Sequence, residues 1–250
     1  MDHPEYRLIL VGNRDEFFQR SSASLHLWPQ GFYAGKDLGG GGTWMGFHPN
    51  GRFAALTNYR DVAEPKLEPI SRGHLVKDFL EGRQKPQEYL DQIQEKMHRY
   101  EGFNLLVAEG EQMAYLSNFR QKTEIVVPGI HGISNAFLNT PWPKVAQAKK
   151  QLEEALAGNK LHENDLLQLL QSKSYASEEE LPDTGVKREM ERILSAQFIQ
   201  MGLEYGTVNT TVILWKHNGE VIIKERRTHP QEETRVNFTV SPRYGALTAG

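Results

Sequence analysis

The chain contains no cysteine. Disulfides, thiolate metal ligands and a cysteine nucleophile are excluded for the chain as given, and the absence fits a reducing compartment. Long apolar runs are missing as well. None approaches the ~20 residues that a membrane-spanning helix needs. The segment Met1-Asp2-His3-Pro4-Glu5 has no basic stretch leading into an apolar one, so it does not read as a signal peptide. Nor is there an excess of one charge: 29 Lys and Arg face 32 Asp and Glu, a formal net charge of -3. Nucleic-acid binding usually leaves a basic stripe, and none is visible. The basic run Lys224-Glu225-Arg226-Arg227 is broken by an acid and reads as the solvated face of an edge strand. The expected setting is therefore cytoplasmic, with no nucleic-acid partner and no membrane. None of the nine histidines forms an i,i+4 pair, and no metal site is expected. A Gly-x-Ser-x-Gly nucleophile elbow is absent too.

What is present suffices for one large sheet-based domain. The 250 residues are 38% hydrophobic and 24% charged, ordinary globular values. Tyr6 to Val11 reads as a buried strand closed by Gly12, with Asn13-Arg14-Asp15-Glu16 at its end. Residues 21–42, with Pro29, Gly31, Gly35 and the run Gly39 to Gly42, read as irregular. Thr43 to Phe47 and Arg52 to Tyr59 flank His48-Pro49-Asn50-Gly51, and an Asn-Gly pair between strand-like runs predicts a hairpin. Ser71 suits the cap of a helix running to Glu81, and Pro86 the first turn of a second that ends near Gly102.

A second hairpin is expected around Gly110, then a strand near Glu124 to Val127. Helices follow at Pro143 to Ala157, at roughly Glu163 to Gln171 and at Val186 to Gln200. Three strands, Val208 to Lys216, Val221 to Arg227 and Arg235 to Val240, precede a small polar tail over 241–250 that is expected to fray. Strands in hairpins predict antiparallel pairing and an α+β architecture of stacked sheets covered by helices.

Four polar clusters are candidates for chemistry. Successive residues of an extended chain alternate in direction, so Arg14 and Glu16 share one face and Asn13 and Asp15 the other. The Arg14 guanidinium suits a carboxylate or a developing oxyanion. A turn with a local ion pair explains the same residues equally simply. In Gly39-Gly40-Gly41-Gly42-Thr43-Trp44 the glycines permit close approach to a ligand, and Trp44 either walls a pocket or fills the core. Asn58 and Asn135 each stand at a predicted strand end, where an amide donates to an oxyanion or simply completes a turn. Thr43 and Tyr59 flank these clusters.

Several of these motifs, in order, resemble the NRDE family, also called the transport-and-Golgi-organisation protein 2 family. The matching segments are Asn13-Arg14-Asp15-Glu16, Gly41-Gly42-Thr43-Trp44-Met45-Gly46 and Ala55-Leu56-Thr57-Asn58-Tyr59-Arg60. Gly102 to Leu106, Ser134-Asn135-Ala136, Thr140-Pro141-Trp142-Pro143-Lys144, Leu181 to Gly185 and Tyr205-Gly206-Thr207 continue the pattern. The resemblance covers nearly the whole chain.

The resemblance implies the N-terminal-nucleophile hydrolase fold, a four-layer αββα sandwich with two antiparallel sheets inside. In such hydrolases the first residue supplies a nucleophile and its own α-amine as base. Cysteine-type relatives cleave amide C–N bonds. By the resemblance Arg14 and Asp15 match the site arginine and aspartate, and Asn58 and Asn135 the oxyanion-side amides. Asn13, Glu16, Thr43, Trp44 and Tyr59 would then contact substrate, without a cofactor.

The chain departs from the family pattern in three ways. The cysteine that follows the initiator Met in the family is absent, and Val208 stands where the family often has Arg. Only Met1 to Glu5 precede the first strand, whereas the family's start contributes a strand pairing with Tyr6 to Val11. Supplying one takes roughly ten residues, which points to a truncated or mis-set start; a relative that has lost its nucleophile is the alternative. Whether the chain is an enzyme stays open. The competing expectation is a small-ligand binder on the same fold, for haem or acyl-CoA, since the family's eukaryotic members are linked to haem handling and lipid metabolism.

Overall fold

Apolar residues at every second position, interrupted by short turns, build most of the molecule. The computed structural model describes residues 3–60, 62, 70–158 and 161–241. In chain order the strands and helices are β1 (Tyr6–Phe17), β2 (Ser22–Leu27), β3 (Tyr33–Asp37), β4 (Met45–His48), β5 (Arg52–Asn58), α1 (Gly73–Glu81) and α2 (Pro86–Lys96). Then come β6 (Phe103–Glu109), β7 (Gln112–Ser117), β8 (Lys122–Ile125), α3 (Pro143–Leu156), α4 (Glu163–Leu166) and α5 (Arg188–Leu194). The chain closes with β9 (Gln200–Met201), β10 (Tyr205–Lys216), β11 (Glu220–Thr228) and β12 (Gln231–Thr239).

Two antiparallel sheets result. One is a meander in the order β2-β3-β4-β5-β6-β7-β8, and the other runs β1-β10-β11-β12 with β9 on β10. Phe47 and Phe53 of the first meet Ile213, Trp215 and Ile223 of the second between the sheets. Leu75, Phe79, Leu90 and Ile93 of α1 and α2 pack on the outer face of the meander. Leu152 of α3 and Leu166 of α4 pack against Val212 and Leu214 on the outer face of the other sheet. The molecule is therefore an α+β sandwich with helices outside both sheets. No helix among the described residues is long and apolar enough to cross a membrane.

The predicted hairpin at His48 to Gly51 forms: Gly51 takes φ +89°, and its N–H donates to the His48 carbonyl. Other expectations need correction. The first strand does not stop at Val11. It continues to Phe17, because Gly12 to Phe17 pair with β10, with one bulge between Arg14 and Asp15. Asn13 to Glu16 thus lie within a strand. Residues 21–42 are not irregular, since they hold β2 and β3. The helix expected after Ser71 is capped by Arg72, with no side-chain cap bond. The helices expected over 163–171 and 186–200 are shorter, as α4 and α5.

Lys224 to Arg227 are not on an edge, for β11 lies between β10 and β12. Lys224 and Arg226 pair with Glu233 outside, while Glu225 and Arg227 are buried between the sheets. There Glu225 accepts from the Leu25 N–H and the Asn209 amide. The expected frayed tail falls, from Pro242 on, outside the described residues.

Candidate functional site

Among the described residues, the strand β1 has a hydrogen-bonded neighbour on one side only, β10. Beside it, between the two sheets and α3, lies a cavity of about 1710 Å³. Alternation along β1 divides its side chains. Leu8 and Leu10 point between the sheets, and Ile9 and Val11 toward the outer helices. Farther along, the apolar residues give way to Arg14, Asp15 and Glu16, so one strand supplies both an apolar stretch and a charged end to the same cavity.

Arg14 continues the inner row. Its guanidinium lies over the Trp44 ring at 4.4 Å from the centroid, and Nη2 is 3.5 Å from Glu16. Its Nη1 is buried without a hydrogen-bond partner. Burial disfavours the Arg14 charge, and Glu16 and Asp37 counteract it. Trp44 is held by the glycine-rich segment before it. A Cβ on Gly42 would come within 2.4 Å of the Gly73 backbone, so these glycines serve the close packing of that loop on α1.

Asp15 faces the other way. Its Oδ1 accepts a 2.6 Å hydrogen bond from the Thr207 hydroxyl on β10. Burial pushes its pKa up; Lys144 and the Thr207 bond pull it back. Lys144, in the first turn of α3, lines the same cavity. Burial pushes its pKa down to about 8, against the attraction of Asp15.

The two asparagines converge with this end. Asn135 donates from Nδ2 to the Asn58 carbonyl at 3.0 Å, and the Arg60 N–H donates to the Asn135 carbonyl. The Asn58 side chain is exposed on the cavity wall. Thr57 anchors the pair through its hydroxyl to the Ser134 carbonyl, at 2.7 Å. The Asn135 amide is therefore occupied in joining two loops, and the Asn58 side chain is the one presented to the cavity.

Arg14, Asp15, Glu16, Thr43, Trp44, Asn58 and Asn135 all line one cavity. Asn13 lines it as well, while Tyr59 is not among its lining residues. Asn13 lines the outer side, where its Nδ2 donates to the Leu170 and Gln197 carbonyls and its Oδ1 accepts from Thr210. Tyr59 stacks on Phe119 at 4.2 Å and packs against Phe137, turned to the neighbouring loops. Thr43 lies at the wall but is 1% exposed, with its hydroxyl donated to the Met45 carbonyl.

Sequence reasoning passed over a second charged pair. Arg60 forms a 2.6 Å ion pair with Glu191 of α5, and its guanidinium lies over Trp142 at 5.0 Å. Glu191, 1% exposed, also accepts from the N–H and hydroxyl of Thr184. Three of the quoted motifs, ending at Arg60, Lys144 and Gly185, are thereby clamped at one place. The motifs themselves were the available signal. Glu191, inside an ordinary amphipathic helix, offered none.

The Transport and Golgi organisation 2 family model matches residues 1–230. The chain belongs to that family. It is 34% identical over 254 residues to the Transport and Golgi organization protein 2 homolog of Bos taurus, covering 94% of this chain and 91% of that protein. The Transport and Golgi organization 2 homolog of Mus musculus is likewise 34% identical, over 92% of this chain and 90% of that protein. Transport and Golgi organization protein 2 of Drosophila melanogaster is 29% identical over 166 residues, 59% of this chain and 58% of its own.

Proposed function

We propose that the chain binds an elongated amphipathic small molecule, with an apolar body along β1 and a carboxylate or acyl head at Arg14. The observation that carries this reading is the graded wall of one cavity. Leu8, Leu10, Met113 and Leu152 line its apolar length, and Arg14, Asp15, Lys144 and Asn58 its polar end. An apolar chain gains about 0.8 kcal/mol per methylene buried, so ten methylenes outweigh one charge-assisted hydrogen bond of ~1.5–3 kcal/mol. The body would then supply affinity and the head orientation. Arg14 supports head recognition because its unpartnered Nη1 leaves a donor to spare.

The test is titration of the purified chain with palmitate, palmitoyl-CoA and haemin, followed by tryptophan fluorescence. Saturable binding that weakens in Arg14→Ala supports the reading. Absence of saturation for all three up to about ten micromolar, a Kd worth ~7 kcal/mol, removes it.

The convergence of Arg14, Asp15, Asn58 and Asn135 favours a second reading, hydrolysis of a non-peptide amide C–N bond in the manner of N-terminal-nucleophile hydrolases. Thr207 is a poor nucleophile, since its hydroxyl donates to Asp15 and accepts from the Ile199 N–H. The 250 residues themselves supply no cysteine for it. Turnover of N-acyl amides by the chain, abolished by Arg14→Ala, would favour it over simple binding.

A further inference from the structure

Lys144 stands at the polar end of the cavity, where the binding reading gives it no bond of its own. It stands in the first turn of α3, a helix of 14 residues whose N-terminal end carries the positive pole of the backbone dipole. A cation is disfavoured there. Its Nζ makes no hydrogen bond and no ion pair among the described residues, although a lysine ammonium has three donors to satisfy. The side chain is nevertheless not shut away from ligand, because Lys144 lines the cavity and is partly exposed. The charged groups that face it are Asp15 from β1, Arg60 beyond the end of β5 and Glu191 from α5. Glu191 is already paired with Arg60, and Asp15 is held by Thr207. An amine that faces the cavity without a hydrogen-bonded partner is placed to act as a nucleophile once it gives up its proton.

We propose that Lys144 is a covalent carbonyl-capture site, whose Nζ forms a reversible Schiff base with an aldehyde seated in the cavity. The amine nitrogen attacks the aldehyde carbon and an N–C bond forms. The carbonyl oxygen takes up the proton that nitrogen releases and becomes the hydroxyl of a carbinolamine. That hydroxyl, protonated again, leaves as water while the nitrogen lone pair closes the C=N bond. One aldehyde and one amine thus give one imine and one water, with no redox change. Asp15 acts as a positioning group through its charge, which is felt at the amine, and solvent in the cavity carries the proton from nitrogen to oxygen. At pH 7 an amine with a pKa of about 8 is free roughly two- to three-hundred-fold more often than one at 10.5. The choice of a long-tailed aldehyde rests on the binding reading above; the reactivity of the amine does not.

The experiment traps the imine. The full chain is incubated with butanal or with hexadecanal at pH 7, reduced with borohydride, digested, and every lysine scored by mass spectrometry. Lys150, whose side chain is 78% exposed, serves as the ordinary amine. Labelling of Lys144 at least about tenfold faster than Lys150 is the expected result, with an apparent pKa near 8 in the rate profile. Lys144→Arg should keep the positive charge and lose the adduct, and Asp15→Asn should slow trapping and move the pH profile.

The two aldehydes separate the claims. Trapping by butanal alone supports the amine and removes the apolar tail site. Binding of hexadecanal, read by tryptophan quenching, without an adduct at Lys144 overturns the capture site and leaves the binding reading standing. Labelling spread evenly over the lysines also overturns it.

Discussion

Strands β1 and β10 are each 12 residues long and are paired with each other along their whole length, yet they have opposite characters. From Gly206 to Trp215 every residue of β10 is buried. Along β1 only Tyr6 is, and the residues that follow are half-exposed as far as Glu16. The cause is position in the sheet. β10 lies between β1 and β11, whereas β1 has a neighbour on one side and the cavity on the other. Chemistry belongs on the second kind of strand, since a side chain reaches ligand only where packing stops short of covering it. The bulge between Arg14 and Asp15 falls where the charged pair begins, as is common beside functional sites.

The contrast predicts unequal costs for similar truncations. Ile213→Ala on β10, at a side chain 1% exposed, should lose about 2–5 kcal/mol of unfolding free energy. Leu10→Ala on β1 should lose about 1 kcal/mol, because part of its surface already faces the cavity. Urea unfolding compares them, and equal losses would mean that β1 is packed as deeply as its partner. Next in size is Asn13→Ala. It removes the bonds to Leu170, Gln197 and Thr210 and should cost about 1–3 kcal/mol in stability while leaving ligand affinity alone. Weakened binding by a normally stable variant would make Asn13 a direct ligand contact.

Arg14→Ala should do the reverse. It should weaken carboxylate-headed ligands about tenfold, ~1.4 kcal/mol, with thermal stability changed little, since Arg14 already leaves Nη1 unpartnered. A separate signal is a slope with pH. Burial favours neutral Lys144 in the folded chain and lowers its pKa to about 8, below the ordinary 10.5. Below pH 8 both states hold the proton and the folded one is penalised. Between 8 and 10.5 only the unfolded chain still binds it, so the stability of the protein rises with pH across that window. Lys144→Met should remove the rise, being the more stable form at pH 7 and converging with the parent toward pH 10. Parallel curves for the two would show that Lys144 keeps its proton in the fold.

Much of the architecture could be read from local pattern. The hairpin at Asn50-Gly51, the helix opened by Pro86 and the three closing strands were all legible, because turn chemistry and side-chain period act over a few residues. β2 and β3 were not. Their alternation is diluted by Pro29, Gly31 and Gly35, and their own pairing is interrupted between Ala23 and His26. Gly12 reads as a strand terminator, yet the ladder with Thr211 carries the strand through it. The candidate site was legible at Arg14 and Asp15, from their placement on opposite faces of one strand. Arg60 and Lys144 stand in quoted motifs, but their proximity to Glu191 and Asp15 stayed hidden, because nothing near them in sequence names those partners.

Composition, turn residues and the two periods of apolar spacing were enough to establish an α+β chain with antiparallel hairpins, and the ordered motifs pointed to its family. The partners at the polar end were settled by packing alone. Asp15 meets Thr207 across 192 positions, and Arg60 meets Glu191 across 131. Contacts of that span depend on strand register and on where helices lie over a sheet, and neither is written in any short stretch of residues.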